Sequence, residues 1–186
     1  MEKKEAITFF KELAARDFLV FDTETTGLSR AAEVIWMSVV RSDGSVALDT
    51  PIKPKGSIPA EASAIHGITE KDVEAAPLWP FVGREVEKMF FGQIAIAYNC
   101  DFDRRILDQS GDIWGLPPIM ADYRCAMKPF AAIYGEPGKF GGYKWQKLTK
   151  AITFAKGQEL PPHVALNDCF MTLELIRKCA EMEMEG

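Results

Sequence analysis

Residues 18–28 read FLVFDTETTGL: four apolar residues, two carboxylates one residue apart, and a polar turn followed by Gly27 and Leu28. The run Phe18 to Phe21 is short and rich in β-formers, which predicts a buried strand that Thr25-Thr26-Gly27 terminates. Side chains alternate along a strand, so Asp22 and Glu24 point the same way. Two like charges converging at a buried strand end repel and lose hydration, a cost that a cation or bound protons must offset. A divalent metal is one answer; turn capping, a common task of Asp, Thr and Gly in loops, is the other. The choice depends on whether further carboxylates converge on the pair.

The rest of the chain narrows the possibilities. Its 186 residues are 47% apolar and are divided by no Pro/Gly/Ser-rich linker or repeat, which predicts one domain over 1–186. The N-terminal MEKKEAITFFKELAARD mixes acids and bases and lacks both a signal-peptide core and a membrane-length apolar run, so a soluble, cytoplasmic protein with no membrane association is expected. Cys100, Cys125, Cys169 and Cys179 form no C-x-x-C pair, a pattern of reduced thiols rather than a zinc site or disulfide framework.

A net charge of −5 argues against a generic nucleic-acid coat, yet the charge is unevenly placed. From Arg124 to Gln158 the bases Arg124, Lys128, Lys139, Lys144, Lys147, Lys150 and Lys156 are opposed only by Glu136. Interleaved among them are Phe130, Tyr134, Phe140, Tyr143, Trp145 and Phe154, and lysines with stackable rings suit a single strand's phosphates and bases. The segment is either a binding face or a solvated helix face whose rings belong to the core.

Residues 4–15 carry Ile7, Phe10, Leu13 and Ala14 at helical spacing. VIWMSVV (34–40) and SVALD (45–49) read as strands joined at Asp43-Gly44, completing a three-strand meander. After a Pro-punctuated loop, 81–90 reads as a helix, IAIAY (94–98) as a fourth strand, Phe102 to Leu107 as the start of a helix, and 118–123 as a fifth strand. A closing helix begins at Leu166 and buries Phe170, Leu173, Ile176 and Cys179, with the acidic EMEMEG beyond it. The expected fold is α/β, a mixed five-stranded sheet flanked by helices.

Two further acidic motifs fall at element ends. AYNCDFDRRIL places Asp101 and Asp103 where the fourth strand meets a helix, the place where active sites of α/β sheets gather. PPHVALNDCF puts His163 after a stiff Pro-Pro and Asp168 in the first turn of the closing helix. That arrangement can aim Asp168 at a metal and leave His163 free to take a proton from water; an N-cap at Asn167 or Asp168 and an ordinary loop histidine are the structural alternatives.

Taken in order, D-x-E at a strand end, N-x-x-F-D, H-x-x-x-x-D and a basic aromatic face resemble the DEDDh 3′-to-5′ exonucleases, the family of the bacterial replicative proofreading (epsilon) subunit. FDTETTGL is similar to its first motif, NCDFDRRIL to its second and HVALND to its third, with IPAEASAIHGITEKDVEAAP similar to the segment bearing I-H-G-I-T in the DNA proofreaders. Tyr98 stands where the family often has histidine, and Asn167 where it often has alanine.

The resemblance implies a ribonuclease H-like fold, metal carboxylates at Asp22, Glu24, Asp103 and Asp168, and a general base at His163. Four carboxylates balance two Mg²⁺ or Mn²⁺ ions, hard cations that prefer oxygen. The implied reaction is two-metal hydrolysis of the last phosphodiester of single-stranded DNA, releasing nucleoside 5′-monophosphates. The terminal nucleotide is expected against the backbone of Glu24, Thr25 and Thr26, with Leu28, His66, Asn99 and Phe102, and the strand against Lys144 and Lys147. I-H-G-I-T favours DNA over RNA at the 3′ end. An exoribonuclease and a catalytically silent module that binds strand ends are the alternatives, and a larger replication, repair or trimming complex is the partner class.

Overall fold

Both faces of the strand Leu19–Thr25 (β1) are covered, which is why its apolar start shows no polar alternation. In the computed structural model, which describes residues 1–183, β1 is the central strand of five. Val34–Arg41 (β2) and Val46–Pro51 (β3) continue from it as antiparallel neighbours. Ile94–Ala97 (β4) and Asp122–Cys125 (β5) add in parallel on its other side, giving the order β3-β2-β1-β4-β5. The helices are α1 (Lys3–Ala14), α2 (Ala60–His66), α3 (Glu70–Val73), α4 (Trp79–Phe90), α5 (Cys100–Ile113), α6 (Met127–Tyr134), α7 (Leu148–Phe154) and α8 (Ala165–Ala180).

The parity of β1 sorts the helices. Val20 joins a core with Ile7 and Phe10 of α1, Phe130 of α6 and Leu173 and Ile176 of α8. Leu19 and Phe21 join the opposite core, with Val86 and Phe90 of α4 and Ile106 and Leu107 of α5. Phe21 meets Phe90 edge to face at 5.1 Å between ring centres, and truncating either buried ring costs roughly 3–5 kcal/mol. Even-numbered residues of β1 therefore face α1 and α8, and odd-numbered ones face α4 and α5. This is the mixed sheet flanked by helices that the motifs imply, and none of the helices among the described residues is long and apolar enough to cross a membrane.

The expected elements are present with shifted ends. Helix α4 starts at Trp79 because Pro80 is tolerated in a first turn. Strand β5 occupies 122–125 rather than 118–123: Pro117 and Pro118 lack N–H groups, and only from Asp122 does the chain pair with Ile94 on β4. In α1 the buried stripe is Ala6, Ile7, Phe10 and Leu13, while Ala14 is exposed. Helices α2, α3, α6 and α7 are too short to carry a legible period, and they lie in segments expected as loop or binding face. Of the acidic tail, 184–186 lie outside the described residues.

Candidate active site

Strand parity puts Asp22 and Glu24 on the face that α8 covers, and Asp168 sits on the first turns of α8. Ligating oxygens of Asp22, Glu24 and Asp168 consequently lie within 4.8 Å of one another. The register of β1 against β2 shifts between Glu24 and Thr25, a bulge just past the second carboxylate, beyond which Thr25 still pairs with Val34. Buried Glu24 Oε1 and Asp168 Oδ1 have no hydrogen-bond partner.

Asp103 reaches the site from the other face. It lies in the first turn of α5, is only 4% exposed, and accepts a 2.9 Å bond from the Thr23 hydroxyl, the odd-numbered side chain between the two acids. Asp103 stands outside the tight trio but close enough for its charge to act on Asp22 and Glu24. Its neighbour Asp101 is exposed and pairs with Lys128.

The electrostatics follow from that crowding. Burial, then the fields of Asp103, Asp168 and Glu24, hold Asp22 well above the usual carboxylate range. Burial together with Asp168 and Asp103 pushes Glu24 up to about 8. Burial raises Asp103 to about 7 against the opposing bond from Thr23, and raises Asp168 against the backbone N–H of His163. A cluster that binds protons this firmly also has the charge to bind a cation, and the orphaned oxygens of Glu24 and Asp168 are the lone pairs such an ion needs.

His163 is exposed and lines the cleft above these acids. Its backbone is left-handed, with φ +61°, and its N–H donates to Asp168 Oδ2 at 3.3 Å. A left-handed non-glycine residue is strained, and here the strain turns the chain from Pro161-Pro162 into α8. Neither alternative capping role is taken: Val164 is the N-cap, and the Asn167 amide donates to the Pro161 carbonyl at 2.9 Å. His66, at the end of α2, lines the same cleft; its Nδ1 accepts from the Ile68 N–H at 3.0 Å, and its buried Nε2 has no partner. Burial lowers its pKa.

The cleft, about 310 Å³, brings together Thr25, Leu28, His66, Asn99 and Phe102 with the acids and His163. Leu28 is 77% exposed at its mouth. Three expected contacts lie outside its lining. Thr26 is buried, with its hydroxyl accepting from the Glu33 N–H and its own N–H donating to the Glu33 carbonyl at 2.9 Å, so neither of these groups is free for a nucleotide. Lys144 pairs with Glu136 at 2.7 Å, and Lys147 precedes α7. Of the aromatics counted toward a binding face, Phe130 is wholly buried. Sequence reading missed Thr23, whose signal was its opposite parity to its acidic neighbours. Tyr98 and Leu148, which carried no expected site role, also line the cleft.

The family model RNase_T, Exonuclease, matches residues 19–176. The chain belongs to this exonuclease family. The uncharacterized exonuclease CP81 of Escherichia phage 186 is 41% identical over 172 residues, covering 89% of each chain. Exodeoxyribonuclease 10 of Escherichia coli K12 is 27% identical over 164 residues, and the match spans 84% of this exonuclease and 66% of that protein. A structure of Exonuclease X in complex with 5′ overhanging duplex DNA superposes with a TM-score of 0.65 at 27% identity, covering 87% of this exonuclease and 90% of that chain. The resemblance to the DEDDh exonucleases, and the fold it implied, are borne out.

Proposed function

We propose that this exonuclease is a single-domain, metal-dependent enzyme that removes nucleotides from the 3′ ends of single-stranded DNA and releases nucleoside 5′-monophosphates. The observation that carries the reading is the trio Asp22, Glu24 and Asp168 within 4.8 Å, two of whose buried oxygens lack partners. With Asp103 nearby, these residues would hold two Mg²⁺ or Mn²⁺ ions, which supply charge stabilisation at the phosphate and a nucleophile at neutral pH.

The remaining roles belong to side chains of the chain itself. His163, exposed beside Asp168, takes the proton of the attacking water; its strained backbone and the bond to Asp168 hold it over the acids. Thr23 keeps Asp103 turned toward the cluster. His66, Leu28, Asn99 and Phe102 line the cleft with the Thr25 backbone, a shape suited to gripping one terminal nucleotide by stacking and burial rather than by base-edge recognition. Little sequence preference follows.

DNA is favoured over RNA by the I-H-G-I-T segment, by a relative named exodeoxyribonuclease, and by the similar structure of Exonuclease X in complex with DNA. Four free cysteines suit a reducing compartment, which supports the cytoplasm, where a replication, repair or trimming complex is the partner class. The test is a degradation ladder. Single-stranded DNA and RNA of one sequence, labelled at the 5′ end, are incubated with Mg²⁺ or with EDTA. Stepwise shortening of the DNA in Mg²⁺, with 5′-monophosphate products and none in EDTA, is expected. Label released at once as a mononucleotide would reverse the polarity, and faster loss of the RNA would make the protein an exoribonuclease.

A further inference from the structure

The segment 136–144 is a small projecting hairpin that the cleft leaves unused. Lys144 N–H donates to the Glu136 carbonyl at 2.8 Å and Gly138 N–H to the Gly142 carbonyl at 3.0 Å, which closes its two arms. Its glycines are required: a Cβ on Gly138 would come within 2.7 Å of the Gly141 carbonyl oxygen, and Gly141 and Gly142 are left-handed at φ +91° and +65°. At the tip stands Phe140, 94% exposed, with the Lys139 ammonium 5.5 Å from its ring centre. The ring is left open to solvent at the tip of a turn that its glycines define.

Two observations connect this hairpin to the substrate. It is tied to the cleft, because the Tyr98 hydroxyl donates to the Gln146 carbonyl at 2.8 Å and Tyr98 lines the cleft wall, as does Leu148 two residues on. Gln146 in turn donates to Glu136 at 2.9 Å, so the base of the hairpin and the wall of the site are one hydrogen-bonded unit. Its charge is that of a polyanion's partner: from Gly135 to Lys150 four lysines face one glutamate in a protein whose net charge is −5.

We propose that Phe140 stacks on a base of the same strand, upstream of the terminal nucleotide, and that the hairpin sets how much strand must be present for tight binding. The inference rests on the 3′-to-5′ exonuclease reading and adds a second strand contact remote from the chemistry. Base–aromatic stacking is worth about five- to a hundredfold in affinity.

The experiment uses the full chain with Mg²⁺ and two single-stranded DNA substrates, a trimer and a 12-mer of the same 3′ sequence. Phe140→Ala should raise KM for the 12-mer at least fivefold relative to the trimer with kcat kept within about twofold, and Phe140→Trp should restore the wild-type ratio. As a second readout, a fluorescent base analogue is moved from the second to the eighth position from the 3′ end in EDTA. Its emission on binding wild type should show a maximum at one position upstream of the second, and Phe140→Ala should lose that maximum. Wild-type turnover with an unchanged 12-mer-to-trimer ratio and an unchanged emission profile in Phe140→Ala would overturn the inference alone, leaving the tip to a protein partner. A wild-type chain that shortens neither substrate would overturn the exonuclease reading and this inference with it.

Discussion

The acidic cluster and the basic hairpin 136–144 carry opposite charge, and they are built by opposite means. Asp22, Glu24, Asp103 and Asp168 are fixed from both faces of the sheet, largely removed from water, and crowded until each carboxyl is driven toward its neutral form. The lysines around the hairpin sit in solvent: Lys144 is satisfied by Glu136 at 2.7 Å and Lys150 by the same carboxylate at 3.6 Å. The first arrangement crowds like charges away from water, and the second leaves its charges hydrated and partly paired. A region that the fold leaves incomplete is where a ligand contributes most, so perturbing the acids should matter far more than perturbing the lysines.

The largest effect is expected from Asp22→Ala or Asp168→Ala, each of which removes one member of the trio. Nuclease activity on end-labelled DNA in Mg²⁺ should fall by several orders of magnitude, while thermal melting in EDTA shows a protein as stable as wild type or more so, because carboxylate repulsion is relieved. A folded Asp22→Ala chain with near-normal turnover would end the assignment. Next comes the pair of histidines: His163→Ala should lower kcat by roughly 10²–10⁴, the usual worth of a positioned base, whereas His66→Ala should act mainly on KM, since it lines the nucleotide cleft. The reverse pattern under saturating DNA and Mg²⁺ would exchange their roles.

A smaller effect concerns stability without metal. The four carboxyls have folded pKa values raised above their unfolded ones, Glu24 to about 8 and Asp103 to about 7, so the folded chain holds protons that the unfolded chain releases. The stability they contribute is full below about pH 4 and is lost as pH rises through about 7 to 8. In EDTA the melting temperature should therefore be at least about 3 °C lower at pH 8 than at pH 5, the shift for one pKa unit's worth of energy. Mn²⁺ or Asp22→Asn should flatten the slope; a melting temperature that climbs steadily to pH 8 in EDTA would contradict the crowding.

The smallest effect is expected on the basic side. Lys147→Glu should raise KM for single strands modestly and lower the salt slope by about 0.7 per lost phosphate contact. Lys144→Glu should also place a second carboxylate beside Glu136, a loss of local structure that a melt would register. Equal KM values across a salt series for Lys147→Glu would make the lysine plain surface.

The difference between the two regions also explains what could be read from sequence. Strand β1, its acids, Asp103, Asp168 and His163 were legible because strand parity and motif order restrict where such residues can point. The meander was legible too, since β2 and β3 keep their apolar pattern across the Asp43-Gly44 turn. The substrate side was less so. Whether Phe130 stacks on a base or on the core depends on α6, an eight-residue helix with Pro129 in its first turn, and composition gives Phe130 and Phe140 the same label. The Tyr98 to Gln146 bond joins residues 48 apart, and no local pattern announces it. The bond from the Thr23 hydroxyl to Asp103 was equally hidden, because it joins residues 80 apart.

Strand parity has one more consequence. Asp22 lies opposite Ser38 and Glu24 opposite Trp36, and the three residues Asp22-Thr23-Glu24 serve two faces of the sheet at once. A slip of β1 by a single residue would send both acids toward α5 and Thr23 toward α8, exchanging every role while leaving composition untouched. A mispaired chain would then be inert rather than a nuclease of altered selectivity. For an exonuclease, the register of one strand acts as a safety interlock: the acids converge only when the fold has been completed correctly.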